Sequence, residues 1–543
     1  MTVTVTRRAL LATGTLGLGA FALPGFSIAQ TMLAARGFTH SVTSGEPGAD
    51  SMLLWTRYVP ATGDSARLVA EISESEDFAR IVASGAIITG PWRDWTAKVT
   101  LDGLAPGRRY FYRFVAADGT RSPVGRTKTL PDDAATTWRA AVFSCSNFGF
   151  GWFNAYGHAA ARDDLDAAIH LGDYFYEYSP GKYPPAAAQV AGRIPQPLAE
   201  TIHLADYRLR FASYRADPDL QALHAKVPWI VQWDDHESAN DSWEGGAENH
   251  DPATEGDWNQ RRAAAVQAYR EWMPVSDEPW KAYDIGTLAT LWRTETRVFA
   301  RSRQREIEQV MATGDKLAAL KAFRDGAWVD PAITMMGSQQ ESWLAHDLAR
   351  SVKQGQKWQV VGFGTIMGNL STPEAAQAWI DPGNARAAAW VSDAIAASRV
   401  GLPGNLDSWG GYPAARARFL KGAQAADANL VVICGDSHNA WAFDLAQDGR
   451  AAGVEFAGHA VTSPGYESAV KRDPADVARA MVSANPELKW CDTSRRGYMA
   501  MTITPEKVSN DWLFVDTIKE RRATAAVGHS TQVLRGRRVM SAA

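Results

Sequence analysis

Four short apolar runs, each ending at once in polar side chains able to hold a metal, limit how this chain can fold. Residues 140–147 (AAVFSCSN) deliver Ser144, Cys145 and Ser146, and residues 167–176 (AAIHLGDYFY) deliver Asp173 and Tyr176. Residues 229–237 (WIVQWDDHE) deliver Asp234, Asp235, His236 and Glu237, and residues 430–438 (LVVICGDSH) deliver Asp436 and His438. Such runs read as short buried strands of an α/β sheet. Ligands of open α/β sheets sit beyond the carboxyl ends of strands, where loops aim side chains that the sheet holds rigid. Each run alone has an ordinary reading. Asp173 and Asp235 could cap helices, Cys145 could pack in a core, His236 and His438 could be structural histidines, and Tyr176 could line a rim. Four such ends in one chain point to one metal site instead.

The donor chemistry narrows the ions. Thiolate, phenolate, imidazole and carboxylate together suit a trivalent ion such as ferric iron, and Tyr176 is the donor that argues for it. A neighbouring position lined by carboxylates suits Ca²⁺, Mg²⁺ or Mn²⁺. Asp173 is the natural bridge between the two, and two ions about 3.5–4 Å apart form a clamp for displacing oxygen from phosphorus.

The rest of the chain supplies the scaffold. Residues 36–132 read as all-β, with about seven short strands that fit a fibronectin- or immunoglobulin-like sandwich. No acid, base or nucleophile clusters there, so it reads as a support domain. After a linker at Pro131–Ala134, strands alternate with helices over 137–515, and residues 516–543 read as a solvated basic tail. Two loop excursions, 179–202 and 371–413, are placed to shape a pocket, and helices are predicted at 259–273 and 342–353. Twenty-one tryptophans predict large loops held down by aromatic packing. The cysteines, Cys145, Cys434 and Cys491, are odd in number and widely spaced, so no disulfide framework is expected. Cys434 reads as core packing, and Cys491 has no assigned role.

Residues 1–29 read as a twin-arginine signal peptide. Arg7-Arg8 precedes an apolar, Gly-rich stretch, and Ser27-Ile28-Ala29 offers a cleavage site before Gln30. Pro24 and the glycines argue against a retained membrane helix, and no later segment has the run of about 20 apolar residues that a span needs. The mature chain is expected to be periplasmic or secreted, with the twin-arginine translocase as its export partner. A formal net charge of −4 and a pI near 6.3 give no basic field for nucleic acid or anionic membrane.

The motifs FTHSVTSGEP (38–47), Leu54-Trp55-Thr56-Arg57, Ser-Cys-Ser, Gly-Asp-Tyr-Phe-Tyr-Glu, Trp-Asp-Asp-His-Glu and Gly-Asp-Ser-His follow one another in order. Trp409-Gly410-Gly411-Tyr412, Asn485-Pro486 and Arg496-Gly497-Tyr498 come later in the chain. With them the chain resembles the PhoD-like alkaline phosphatases of the calcineurin-like metallophosphoesterase superfamily. The resemblance implies a four-layer α/β/β/α catalytic domain behind the β-sandwich. It implies Fe³⁺ held by Cys145, Asp173, Tyr176 and His438, and one or two Ca²⁺ held by Asp173, Asp235 and Asp436, with Mg²⁺, Mn²⁺ or Zn²⁺ as substitutes. His236 would face the substrate phosphate or the leaving group, and Asp173 would act with it in catalysis.

Two positions depart from the family pattern. Gly410 stands where an Asp is usual, so an additional calcium would be absent or held by Asp407. Thr294-Glu295-Thr296-Arg297 replaces Leu-Asp-Thr-Arg, with Glu295 expected to pair with a cation. The implied activity is hydrolysis of small phosphate esters. Phosphodiester or phospholipase D-type hydrolysis on the same centre is the near alternative. A Cys145-nucleophile hydrolase leaves Asp173, Asp235 and Asp436 unexplained, and a non-catalytic binding protein leaves the full ligand set unexplained.

Overall fold

The computed structural model describes residue 32 and residues 35–543 apart from 313 and 382, so the expected signal peptide lies outside the described residues. Three sheets organise the chain. The long one has ten strands in the order β21-β20-β19-β18-β8-β9-β10-β1-β2-β5. Its parts are β1 (Gly37–Gly45), β2 (Ser51–Val59), β5 (Thr96–Asp102), β8 (Trp138–Phe143), β9 (Ala167–His170), β10 (Trp229–Val231), β18 (Gly497–Ile503), β19 (Lys507–Val515), β20 (Ala525–Leu534) and β21 (Met540–Ala542). Only its centre is parallel, where β9 pairs with β8 and β10, and β10 with β1.

A second sheet orders β11 (Lys281–Ile285), β12 (Ala289–Arg293), β13 (Trp358–Gly362), β14 (Leu430–Cys434), β16 (Arg450–Ala457), β15 (Ala440–Gln447) and β17 (Leu488–Asp492). Its inner strands β12, β13, β14 and β16 are again parallel. The third sheet, β4-β3-β6-β7, joins β3 (Ala66–Ser73), β4 (Ile81–Thr89), β6 (Arg109–Ala116) and β7 (Gly125–Lys128) in antiparallel pairs.

Strand alternation explains the layering. Along β8, β9 and β10, Val142, Ile169 and Ile230 point one way and meet Val360, Val431, Ile433 and Phe456 of the second sheet in a shared core. Their neighbours Ala141, Phe143, Ala168, Trp229 and Val231 point the other way. They pack on Tyr156, Phe211, Leu220 and Tyr269 from the helices Asn154–Ala161, Leu204–Arg215, Pro218–Lys226 and Trp258–Trp272. The outer face of the second sheet, with Val361, Val432 and Phe443, carries Leu344 and Leu348 of the helix Gly337–Lys353 and Leu420 of the helix Pro413–Ala425.

The N-terminal strands enclose a core of their own, including Val42, Leu54, Leu68, Ile72, Tyr112 and Phe114. Yet β1, β2 and β5 are also the edge of the long sheet, joined to β10 at Gly45 and Trp229. The two parts expected from sequence therefore share one sheet.

Two expectations are corrected. The segment after Asp516 is largely exposed, as expected, but it is not a tail: β20 pairs with β19 from Ala525 to Leu534, and β21 continues the edge. Arg521 and Arg538 form ion pairs with Asp219 and Asp427. The largest buried tryptophans hold sheets more than loops: Trp55, Trp229, Trp292, Trp358, Trp441 and Trp512 lie on strands, and among the fully buried ones Trp409 is on an excursion. An indole suits a strand facing a helix layer, because one ring fills the gap that several aliphatic groups would otherwise fill. Among the described residues, no helix is long and apolar enough to cross a membrane.

Candidate metal centre

The parallel strands of both sheets release their chains into the same place. β8 leads to Cys145, β9 to Asp173 and Tyr176, β10 to Asp234–Glu237, and β14 to Asp436 and His438. Three further strands contribute: β12 leads to Arg297, β13 to Thr365, and β16 to Ser463. Backbone bonds lace these ends together. Cys145 N–H donates to Gly172 O, Ser146 N–H to Asp173 O, Gly435 N–H to Gly364 O, and Ser463 N–H to Cys145 O.

The chain bends sharply to aim the donors. Cys145 (φ 59°), Asp173 (φ 55°), Asp436 (φ 62°) and His438 (φ 60°) all adopt the left-handed conformation. Each costs roughly 1–3 kcal/mol for a residue other than glycine, and such strain collects where function requires a direction. Gly172 takes φ 113° beside them, where a Cβ would lie 2.4 Å from that of Asp234.

All the donors expected from sequence meet. Ligand atoms of Cys145, Asp173 and His438 lie within 4.8 Å of one another, as do those of Asp173, Asp235 and His236, and those of Asp234, Asp235 and Asp436. Asp173 is shared by the first two groups and Asp235 by the last two. Tyr176 joins the first: its hydroxyl donates to Asp173 Oδ2 at 3.2 Å and lies 2.9 Å from His438 Nε2. Ser463 Oγ donates to that phenol oxygen at 2.6 Å. His438 Nδ1 donates to Pro464 O at 2.7 Å, which fixes the tautomer and leaves the Nε2 lone pair toward the centre. Asp173 Oδ1 is buried and has no hydrogen-bond partner.

The electrostatics describe a site short of positive charge. Burial, then the Asp173 carboxylate, push the Cys145 thiol well above its ordinary value, so the protein alone does not make it a nucleophile. Burial, opposed by His236 and reinforced by Asp235, pushes Asp173 well up. Burial, then Asp234 and Asp407, raise Asp436 to about 7. Burial takes His438 down to about 3, keeping the imidazole neutral as a ligand must be. His236 differs. Burial opposes its charge, but the carboxylates of Asp235, Glu177 and Asp173 together raise it well above the usual histidine value.

Several residues at the site were not singled out as donors from sequence, although Glu177 and Arg297 lie within the quoted motifs. Glu177, in the same stretch as Asp173, accepts from His236 Nδ1 at 2.7 Å, and its other oxygen accepts from Asn240 N–H and Asn249 Nδ2, each at 2.8 Å. Tyr183, on the 179–202 excursion, brings its hydroxyl within 3.2 Å of His438 Nδ1. Thr365 donates to Asp436 Oδ2 at 2.8 Å. Arg297 lies among carboxylates, binding Asp234 through Nε and Nη2 at 2.6 and 3.0 Å and Asp407 through Nη1 at 2.8 Å. The succession of apolar run and polar end also marks FAGHAVTSPG (456–465), which begins in the last two residues of β16, and identifies Ser463 in retrospect.

The structure gives partners to Asp407 and Glu295, the residues named at the two departures. Asp407 is an ion-pair partner of both Arg297 and Arg301. Glu295 pairs with no cation among the described residues. Its carboxylate accepts from the Trp233 indole and from the N–H groups of Arg297, Val298 and Phe299, closing the turn that carries Arg297. Cys434 donates its thiol to Glu455 at 3.0 Å inside the second sheet, so its place in the core is polar as well as packed.

Comparison with known proteins agrees in order and extent. Residues 140–512 match the family described as PhoD-like phosphatase, and residues 25–131 match its N-terminal domain. Alkaline phosphatase D of Bacillus subtilis (strain 168) is 33% identical over 507 residues, covering 89% of this chain and 78% of that protein. The solved structure of PhoD superposes with a TM-score of 0.77 at 29% identity, covering 94% of this chain and 92% of that one. This chain belongs to the PhoD-like phosphatases and is, by class, a phosphoric ester hydrolase.

Proposed function

We propose that the chain is an exported, metal-dependent phosphatase of alkaline phosphatase D type, acting on small phosphate esters. The observation that carries this is the meeting of strand ends around Asp173, whose buried, unpartnered Oδ1 lies among thiol, phenol, imidazole and carboxylate donors. An unsatisfied carboxylate oxygen at such depth costs several kcal/mol unless a cation meets it. The donor set fits Fe³⁺ at Cys145, Asp173, Tyr176 and His438, and Ca²⁺ at Asp173, Asp235 and Asp436. Bound there, such ions supply charge to neutralise the phosphate and an acidified water to attack it.

The protein's own contribution is orientation and a proton. Glu177 holds the Nδ1 proton of His236 and, with Asp235, keeps the ring cationic, so Nε2–H is the donor for the leaving alkoxide or a phosphate oxygen. Tyr176 and Tyr183 pack against the same ring, with centroids at 4.2 and 6.5 Å, and limit the positions it can take.

The layers described above are read as the α/β/β/α metallophosphoesterase sandwich, preceded by a fibronectin/Ig-like unit at 36–132. Arg7-Arg8 and the apolar stretch after it support twin-arginine export and a periplasmic or secreted enzyme.

Replacing Asp173 with Ala tests the reading. Metal content by elemental analysis and hydrolysis of p-nitrophenyl phosphate are expected to vanish together. Full activity with normal metal content would overturn it. Rates on p-nitrophenyl phosphate and its bis-ester then rank monoester against diester.

A further inference from the structure

Glu237 closes the Trp-Asp-Asp-His-Glu motif, yet it belongs to none of the three groups of candidate ligands. It is 3% exposed and accepts three backbone N–H groups from two different strand ends. Oε2 accepts from Asp173 N–H at 3.1 Å and Asp234 N–H at 2.9 Å, and Oε1 accepts from Tyr174 N–H at 2.5 Å. Among the described residues it forms no ion pair, so backbone donors are what hold it.

Those three amides belong to the turns that present Asp173 and Asp235. Both turns are tight. Asp173 is left-handed, Gly172 abuts Asp234, and His170 Nδ1 accepts from Gly172 N–H at 3.3 Å. The turn after β9 is thus held from behind by a neutral histidine and from the side by Glu237. Asp234 is fixed by the same carboxylate through its N–H and by Arg297 through its side chain.

We propose that Glu237 is a positioning residue that fastens the β9 and β10 turns to each other, and so sets the distance between Asp173 and Asp235. The inference rests on the metal reading given above, and it adds that one carboxylate behind the site controls both ion positions together. A carboxylate suits this task because both oxygens accept when it is ionised; burial raises the group to about 7, and the three backbone N–H groups pull the other way, toward the ionised form. A glutamine in its place keeps size and shape but turns an NH₂ toward at least one backbone N–H: with its oxygen in the Oε2 place Tyr174 N–H loses its acceptor, and the other way round Asp173 and Asp234 N–H both do. Aspartate keeps both oxygens on a shorter stem and is expected to restore part of the clamp.

The test is metal retention of the full chain, read apart from turnover. Wild type, E237Q and E237D are stripped with chelator and dialysed against graded iron and calcium, and bound metal per chain is measured by elemental analysis. E237Q is expected to need roughly 10–100 times more of both ions for half-saturation, as loss of an outer-shell partner does, with E237D between the two. Thermal unfolding of the stripped chains separates a merely structural role, which lowers the midpoint without moving either metal curve. Metal curves for E237Q that overlay those of wild type overturn the inference. A wild-type chain that retains no metal overturns the metal reading and this inference with it.

Discussion

At the residue scale, the centre is a set of groups that would not stay together by themselves. Asp235 lies close to Asp173 on one side and to Asp234 and Asp436 on the other; burial and neighbouring carboxylates raise Asp173, Asp234 and Asp436, whereas His236 and Arg297 hold Asp235 low against its burial. Arg297 offsets part of that charge, with Nη2 3.9 Å from Asp235 and 4.0 Å from Asp436. His236 offsets another part, its charge favoured by Asp235 first and then by Glu177 against its burial. Replacing Glu177 with Gln removes one of the anions that favour the imidazolium, so the proton donation proposed for His236 should weaken while the donors around Asp173 remain. We expect kcat to fall about 10–100-fold on alkyl phosphates, where the leaving alkoxide needs the proton, and much less on p-nitrophenyl phosphate. Equal losses on both substrates would show that Glu177 does not act through proton donation. Bound metal, measured alongside, should stay at the wild-type level.

At the element scale, the excursion 179–202 is held down rather than left free. Arg210, buried on the helix Leu204–Arg215, donates to the carbonyls of Tyr176, Tyr178, Gln196, Pro197 and Ala199. One guanidinium therefore ties the loop to the turn that carries Tyr176. Arg193 adds a second anchor, paired with Asp217 at 2.7 Å and stacked 3.8 Å from the ring of Phe148. Loops of this length lack ladders of their own, so buried donors have to replace them. Arg210→Met leaves those carbonyls without a charged donor and should cost about 3–5 kcal/mol of stability. Limited proteolysis should then cut within 179–202. A variant as stable and as protease-resistant as wild type would mean the loop is held by its apolar contacts alone.

At the scale of the whole molecule, the N-terminal strands and the α/β part meet along β5 and the helix Trp258–Trp272. Lys98 of β5 donates its Nζ to Val275 O at 2.5 Å, just past that helix. Burial, then Arg93, lower its amine from the usual lysine value to about 8. Below about pH 8 both folded and unfolded chains carry the proton, and the buried charge penalises the fold in full. Between about pH 8 and 10.5 the folded chain has released a proton that the unfolded chain keeps, so stability rises with pH. Lys98→Met lacks this term. Denaturant unfolding at pH 7.5 and pH 10 should show wild type gaining up to about 2 kcal/mol relative to the variant, a figure reduced for the exposure that remains. Parallel pH profiles for the two proteins would remove Lys98 as the source.

Sequence by itself determined the candidate donors and their order along the chain. Apolar runs ending in Cys145, Asp173, Asp235 and Asp436 are local patterns, because a strand buried on both faces must be apolar and must stop where polar groups begin. The N-terminal part was legible as about seven short strands from its turn residues and its alternation. What tertiary structure decided is everything that depends on two sheets facing each other. It joined β1 to β10, carried the last residues back onto β19, and set Glu177 behind His236 and Glu237 behind Asp173. It also gave Asp407 to two arginines and Glu295 to a turn. A carboxylate reads the same in sequence whether it meets a metal, an arginine or a backbone amide. Only the packing of distant strands brings one of those partners within hydrogen-bonding reach.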